Sequence, residues 1–321
     1  MKRSIVSLIL CFFVYGACFA QTRSAEAGFM SENDSFLGQG SDRYYTNGFF
    51  LYYHKAVDPS RFKSKNLANV IFGLELGQKI FNARSGALPD ARYVDRPIAG
   101  YLYVSVSENR LYKNEINLKL TGSLAVVGPA SGGEVIQNFI HDTFGFYRLN
   151  SWPYQVQNDF QLNLNAEGNR LLARTSWADL SLSGYARLGT GFTGAGIGTL
   201  IRLGNFNPLY RSVSTQSTAS FNEDQPLLHK REFFFYSKPA VHAVLFDATI
   251  QGSLFRDHPV AGTEEITTSK EPVLWCNQMG LSYAGSRMIV NLGVTIESSD
   301  TKQAEKDTHQ WGSVGLMYRF N

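Results

Sequence analysis

Two polar clusters near the start of the chain carry side chains that could bind a cation and polarise a substrate. Their candidate ligands are Asn33, Asp34, Asp42, Thr46 and Asn47. Carboxylates, carboxamides and hydroxyls supply the hard oxygen atoms that calcium prefers. The spacing of Asp34 and Asp42 does not fit the loop of an EF-hand. The sequence therefore leaves two interpretations open, a calcium site or a polar turn between two strands.

One later segment has the pattern of a short helix. Ser131 and Glu134 form a capping box at its start, and Gly145 supplies a C-terminal stop. One stripe of this helix consists of Ile136, Phe139, Ile140 and Thr143. Gln137 and His141, spaced i and i+4, share a second stripe. The pattern therefore predicts a fixed scaffold for His141.

His141 is the best candidate for a general base. A histidine titrates near neutral pH, and its neutral form can take a proton from water. Its place on a capped helix beside Gln137 favours this function over the alternative, a surface histidine on a loop helix. A serine hydrolase has little support, because no serine stands in a Gly-x-Ser-x-Gly elbow.

A third cluster contains the dipeptide Asp95-Arg96 followed by Pro97. The planar guanidinium of Arg96 could bind a phosphate through two parallel hydrogen bonds. The alternative is a salt bridge from Arg96 to Asp95 or to another acidic residue nearby.

Residues 1–20 predict a secretion signal, with a basic start, an apolar core over 5–14 and small residues before the cleavage point. A lipoprotein acylated at Cys18 is the alternative. Cleavage leaves 21–321 as a single domain in which Cys276 is the one remaining cysteine. A lone cysteine excludes an internal disulfide and a zinc site built from several cysteines.

Period-two alternation recurs through the rest of the chain and predicts about twelve strands. They lie near 24–31, 45–54, 70–79, 99–107, 114–127, 156–174, 178–189, 193–204, 233–251, 272–284, 287–297 and 309–320. One face of each is apolar and the other is polar, and an even number of strands can close without an edge. We expect an all-β fold, a transmembrane antiparallel β-barrel of about 12 strands with one short helix in an extracellular loop.

The connections between these strands differ in length. The long polar segments are 55–68, 80–98, 128–155, 205–231 and 255–271, and short turns include Gly189–Gly191 and Tyr283–Ser286. Outer-membrane barrels have short periplasmic turns and long outer loops, so we expect the same asymmetry here. The net charge of +3 is too small to indicate a nucleic-acid partner.

Five motifs follow one another along the chain and carry a family resemblance. They are Glu32-Asn33-Asp34, Asp42-x-x-Tyr45-Thr46-Asn47-Gly48, Asp95-Arg96-Pro97-x-Ala99-Gly100-Tyr101-Leu102-Tyr103, Val127-Gly128-Pro129-Ala130-x-x-Gly133-Glu134-x-x-Gln137-x-x-x-His141, and Trp152-x-x-Gln155-x-x-Asn158. Any one of them is weak, but the combination is specific. Together they resemble the outer-membrane lipid A 3'-O-deacylases.

The resemblance implies calcium-dependent hydrolysis of the ester-linked acyloxyacyl group at the 3' position of lipid A, by a site that faces the outer leaflet of the bacterial outer membrane. It implies catalytic roles for His141, Gln137 and Asn33, metal binding by Asp34 and Asn33, and substrate contacts from Arg96, Thr46 and Asn47. The expected cofactor is calcium. The expected partners are lipid A or lipopolysaccharide and outer-membrane lipids, with no nucleic acid, and we expect a monomer.

The chain departs from the family pattern after the histidine. Family members tend to carry an acidic residue in the loop that follows it, whereas 146–151 contains no carboxylate. If a carboxylate supports the histidine or the metal, either Asp142 or Asp159 must supply it or the activity is altered. Two other functions stay open: a phospholipid acyl-ester hydrolase on the same barrel, and a non-enzymatic channel or structural barrel.

Overall fold

The computed structural model describes residues 23–38, 42–62, 64–221 and 227–321. The predicted signal peptide over 1–20, with Cys18, lies outside the described residues. Among the residues that are described, no helix is long and apolar enough to cross a membrane.

Within the described ranges, twelve antiparallel strands form one closed barrel. They are β1 (Ala25–Asn33), β2 (Tyr45–Ala56), β3 (Leu67–Phe81), β4 (Ala99–Tyr112), β5 (Ile116–Val127), β6 (Asp159–Arg174), β7 (Ala178–Gly189), β8 (Phe192–Asn205), β9 (Glu232–Asp247), β10 (Val273–Ala284), β11 (Met288–Ser298) and β12 (Thr308–Phe320). Strands pair in chain order, and β1 closes the barrel against β12, with Ala25 opposite Phe320 and Asn33 opposite Gly312. The predicted fold class is confirmed.

Side chains alternate between the two faces of the barrel wall, as the two-residue period of a strand requires. Outward residues such as Leu74, Val106 and Leu164 are exposed, whereas Asn109 and Gln161 on the inner face are buried. An apolar outer wall around a polar lumen is the arrangement of a barrel that meets lipid.

Helix α1 (Gly133–Phe144) lies in the connection between β5 and β6. Gly145 ends it with a left-handed φ of 72°, which confirms the predicted stop. The predicted capping box is wrong. Gly132 is the N-cap residue and has no side chain with which to cap the helix, although the Ser131 hydroxyl accepts from the backbone N–H of Gly133 over 3.3 Å. The Ser131 hydroxyl instead donates to the carbonyl oxygen of Gly128 over 2.6 Å, so it closes the tight turn before the helix.

Helix α1 packs on the outer wall of the barrel, over β3 and β4. Gln78 of β3 donates from Nε2 to the carbonyl oxygen of Ser131 over 2.7 Å. Its side chain belongs to the same outward row as Leu74 and Leu76, which are exposed. On β4, Gly100 permits the close approach, because a β-carbon there would lie 2.1 Å from Ser131 Oγ.

The two ends of the barrel carry different connections. We call the "site end" the end with 34–44, 82–98, 128–158, 190–191, 248–272 and 299–307, and the "plug end" the end with 57–66, 113–115, 175–177, 206–231 and 285–287. The expectation that long connections lie at one end and short turns at the other is wrong for three connections. The long connections 57–66 and 206–231 lie at the plug end, and the short turn 190–191 lies at the site end. Strand direction decides the end, and length does not.

A second deviation concerns the end of β9, which was predicted to run to 251. The strand ends at Asp247, and a single helical turn, α2 (Ala248–Gln251), follows. The Asp247 side chain accepts from the backbone N–H of Thr249 over 2.8 Å, which is an ordinary N-cap contact.

Residues 206–221 fold into the barrel at its plug end, and we call this segment the plug. Its Leu209 and Val213 pack in a core cluster with Leu200 of β8. Two asparagines of the wall, Asn69 and Asn109, donate to carbonyl oxygens of the plug over 2.7 and 2.8 Å. These contacts fill the plug end with packed protein, which disfavours an open channel.

Arg202 of β8 anchors the plug to the wall. Its guanidinium is fully buried and donates from Nε and Nη2 to the Asp179 carboxylate over 3.0 and 2.6 Å. Its Nη1 donates to the hydroxyls of Ser212 and Ser214 in the plug over 2.8 and 3.0 Å. One side chain therefore joins two strands and the plug.

Replacing Arg202 should destabilise the barrel strongly. In Arg202→Met the hydroxyls of Ser212 and Ser214 lose their donor and Asp179 keeps only Arg174 as a cationic partner, so we expect a loss of about 3–5 kcal/mol in the free energy of unfolding. Denaturant unfolding in detergent measures it. Arg110→Met, which removes an exposed pair with Glu108, is the control and should change little. Equal losses in the two variants would contradict the anchoring function of Arg202.

Candidate active site

The carboxylate of Asp42 lies at the centre of a cluster at the site end. Its Oδ1 accepts from Thr46 Oγ1 over 3.2 Å and from Gln137 Nε2 over 3.3 Å. Its Oδ2 accepts from the Tyr147 hydroxyl and lies 3.2 Å from His141 Nε2. The residue has a left-handed φ of 44°, which Asp tolerates better than most other non-glycine residues. One carboxylate therefore joins the connection after β1, strand β2, helix α1 and the segment after it.

The orientation of the His141 ring identifies its basic nitrogen. Nδ1 lies 2.7 Å from the carbonyl oxygen of Tyr147. A carbonyl oxygen only accepts, so Nδ1 carries a proton and Nε2 is the basic atom of the neutral ring. Nε2 faces the Asp42 carboxylate across 3.2 Å, and the two groups form one unit whose imidazole ring packs against Phe146 and Tyr147.

Asp42 is the carboxylate that faces the histidine, and neither sequence-based candidate occupies that place. Asp142 is exposed on α1, and Asp159 accepts from Ser253 over 2.8 Å. Sequence spacing could not indicate the pairing with Asp42, because it depends on α1 lying over β3 and β4 beside β2. The carbonyl of Tyr147 carries no sequence signal either, since any residue could supply it.

Asp34 and Thr46 are buried beside this unit. Asp34 accepts from Thr46 Oγ1 over 3.1 Å and from the backbone N–H of Arg43 over 3.2 Å. The single hydroxyl proton of Thr46 can serve Asp34 or Asp42, but not both at once. Burial, with a smaller contribution from the Asp42 charge, raises the pKa of Asp34 to about 7. Among the described residues, the two carboxylates, Asp34 and Asp42, therefore lack a nearby cation that would balance their charge.

Asn33 and Asn47 lie side by side on the paired strands β1 and β2. Asn33 Nδ2 donates to Asn47 Oδ1 over 2.5 Å. The two residues belong to the same face of the wall as Phe29 and Phe49, which are exposed and stack with their ring centroids 6.4 Å apart. The amide pair therefore lies at the site end of an outward-facing apolar column, and not in the lumen.

The donor set suits a hard cation. Among the described residues, no three His, Cys, Asp or Glu side chains converge as a metal cluster. The available atoms are the carboxylate oxygens of Asp34 and Asp42, the Thr46 hydroxyl and Gln137 Oε1, which is buried with no hydrogen-bond partner. All are oxygens, which calcium accepts and soft metals do not favour. These residues fit a calcium ion in chemistry and in charge.

Arg96 occupies a different place from the one proposed for a phosphate ligand. Its side chain is fully buried, with Nε on Asp300 over 2.9 Å, Nη1 on the Pro97 carbonyl over 2.8 Å and Nη2 on Thr249 over 3.0 Å. The guanidinium also lies over the Phe81 ring. The salt-bridge alternative is the observed one, with Asp300 as the partner in place of Asp95. A buried arginine with these contacts presents no surface to a substrate phosphate.

The structure thus brings together His141, Gln137, Asp34, Thr46, Asn33 and Asn47, and it leaves Arg96 apart.

A family model described as "Outer membrane protein LpxR" matches residues 6–320. The chain belongs to this family, which confirms its resemblance to the lipid A 3'-O-deacylases and places it in the bacterial outer membrane. No curated protein matches the chain.

Among solved structures, LpxR from Salmonella typhimurium matches with a TM-score of 0.72 and 19% identity, over 92% of this chain and 100% of that chain. The β domain of the Bordetella autotransporter BrkA gives 0.46 and 11%, over 92% and 98% of the two chains. The translocator domain of NalP from Neisseria meningitidis gives 0.45 and 12%, over 99% and 94%. The Salmonella structure shows the same fold.

Asp34 should impose a pH dependence on stability when a chelator is present. Its pKa in the folded protein, about 7, exceeds its ordinary value of 3.8. Between these values the folded state holds the extra proton, so this contribution to stability is full below about pH 4 and is lost as pH rises towards 7. Asp34→Asn should remove that slope in denaturant unfolding. Asp257→Asn, which changes an exposed carboxylate, is the control, and an unchanged slope in Asp34→Asn would contradict the raised pKa.

Proposed function

We propose that the chain hydrolyses the ester-linked acyloxyacyl group at the 3' position of lipid A, at a site end that faces the outer leaflet. Membership of the LpxR family supports the reaction class. The observation that carries the proposal is the place of the site, at the rim of the outer wall.

A lipid substrate can reach a site on that wall without leaving the membrane. Asn33 and Asn47 lie directly beyond Phe29 and Phe49 on the outward face. Acyl chains can follow the apolar column while their ester bonds lie at the level of the amides and carboxylates. A lumenal site would require a lipid to cross the barrel wall, and the plug fills the other end of the barrel.

His141 supplies the base in this proposal. The Tyr147 carbonyl holds the proton on Nδ1, so Nε2 can take a proton from a water molecule that attacks the ester carbonyl. Asp42 stabilises the imidazolium that forms, because its Oδ2 lies 3.2 Å from Nε2. Gln137 donates to Asp42 and holds that carboxylate in place. His141 then returns the proton to the leaving sugar oxygen. No covalent intermediate is needed.

Calcium is the proposed cofactor, held by Asp34 with oxygen atoms of Asn33 or Thr46. When bound, it would polarise the ester carbonyl and stabilise the developing negative charge. The electrostatics of the chain support it, since burial and, to a smaller extent, the Asp42 charge raise the pKa of Asp34, and a cation would stabilise its charged form. Asn33 Nδ2 and Asn47 Nδ2 are further donors near the site for the oxygen atoms of the substrate.

Lipid A from cells that express the protein should lose one acyloxyacyl unit. Replacing the base in His141→Ala should slow the loss about 10²–10⁴-fold, the usual contribution of a general base. Mass spectrometry of lipid A measures it, with calcium and with a chelator. His229→Ala, which alters a histidine away from the site, is the control and should keep activity.

Loss of a different acyl group, or loss that persists unchanged in His141→Ala, would contradict the proposal. Unchanged lipid A from a folded wild-type protein, together with released fatty acid from phospholipid, would favour the phospholipid hydrolase.

Two variants distinguish the carboxylate that faces His141 in the structure, Asp42, from one that the sequence suggested, Asp142. Asp42→Asn removes the negative partner of His141, so kcat should fall by about 10² or more while KM stays near the wild-type value. Asp142→Asn changes an exposed side chain on the same helix and should leave kcat unchanged. Detergent-solubilised enzyme with purified lipid A gives both constants. The reverse pattern would show that Asp142 supports the histidine.

A further inference from the structure

Helix α1 exposes its apolar side chains. Val135 and Phe139 are 70% and 67% exposed, and Ile136 and Phe144 are also exposed. Just after the helix, exposed Phe146 stacks on Phe144 with the ring centroids 5.8 Å apart. The predicted apolar stripe therefore faces away from the protein, the reverse of a helix that packs on a core. Exposed apolar groups in such a cluster indicate a surface that is covered by something.

The other side chains of α1 divide into two further faces. Gln137 and His141 are buried against the barrel, in contact with Asp42. Glu134, Asn138 and Asp142, spaced i, i+4 and i+8, form a polar strip along one flank. At 100° per residue this strip lies between the buried face and the apolar face. The helix thus has three separate faces, one packed on the barrel, one polar and one apolar.

The apolar face continues the lipid-facing wall of the barrel. The helix rests on the outward rows of β3 and β4 through Gln78 and Gly100. Farther along the same rows, away from the rim, lie exposed Leu76, Leu74 and Val104. An outer-membrane barrel meets hydrocarbon at this wall, so the apolar face of α1 adjoins an interface that is already lipid.

We propose that α1 lies in the outer leaflet as an interfacial helix, with Val135, Ile136 and Phe139 in contact with lipid hydrocarbon and the polar strip directed to the headgroups and water. A helix with separate apolar and charged faces rests at the boundary between the headgroups and the acyl chains. The inference rests on exposure and position, and it does not require the proposed enzymatic reaction.

This placement fixes the depth of the site in the membrane. Because Gln137 and His141 lie on the same helix as the lipid-contacting residues, His141 is held close to the boundary between headgroups and hydrocarbon. Ester bonds of membrane lipids lie at that boundary. The contact between the helix and lipid therefore sets the depth of His141 in the membrane.

Spin labels with collision partners of opposite solubility test the proposal. Single cysteines at Phe139→Cys, Val135→Cys and Glu134→Cys, in a Cys276→Ser background, are labelled with a nitroxide in the full barrel after reconstitution into phospholipid vesicles. Phe49→Cys on the lipid-facing wall is the reference. The ratio of collision rates with oxygen, which dissolves in lipid, and with a water-soluble nickel chelate reports the medium around each label.

We expect a ratio at Phe139 and Val135 that matches Phe49 and exceeds that at Glu134 severalfold. Two apolar positions guard against one variant that fails to fold, and a heat-dependent shift in gel mobility verifies the barrel. Equal, water-like ratios at Val135, Phe139 and Glu134 would overturn the proposal, and lipid-like ratios at all three would overturn the assigned orientation. Neither reading depends on deacylase activity, so the two proposals fail separately.

Discussion

The contact between Asp42 and His141 is the constraint on which the rest of the site depends. A partly buried carboxylate needs donors or cations around it, because withdrawing its charge from water without them is unfavourable. Asp42 finds those partners on α1, on β2 and in the segment after α1. The same contacts hold the helix against the outer wall and aim Nε2 of the histidine. The geometry of the proposed catalytic site and the docking of α1 are therefore one set of interactions.

A barrel can hold an active site in its lumen or on its outer wall. The plug and its anchors, Arg202 above all, fill the plug end of the lumen. The site instead occupies the rim of the outer wall, where Asn33 and Asn47 lie just beyond the apolar column of Phe29 and Phe49. A wall that meets lipid is an unusual place for polar groups, because the membrane has no water to satisfy them. Here Asn33 donates to Asn47, and Thr46 and Gln137 donate to Asp42.

The sequence predicts the strands well and the long-range contacts poorly. Alternation alone locates all twelve strands, because a wall between lipid and a polar lumen enforces a two-residue period. The two stripes on α1 can also be identified from the sequence, but which of them faces the protein cannot. In water the apolar stripe would face the protein, whereas beside a membrane the stripe of Gln137 and His141 faces it. Periodicity carries no information on which solvent lies outside.

Contacts between distant segments explain the remaining differences. Asp42 was readable as a cation ligand, yet its pairing with His141 depends on how α1 docks. Arg96 looked like a phosphate ligand beside Asp95, but Asp300 and Thr249 reach it from two other connections. The long connection 206–231 looked like an outer loop, since length alone does not show the end to which a strand delivers it.

A structure of the inactive variant His141→Asn with lipid A and calcium tests the central claim most directly. We expect the 3' ester at the outer rim, close to Asn33 and Asn47, with its acyl chains along the wall past Phe29 and Phe49 and a cation on Asp34. Lipid A bound in the lumen, or at the outer wall with its ester remote from position 141, would contradict it.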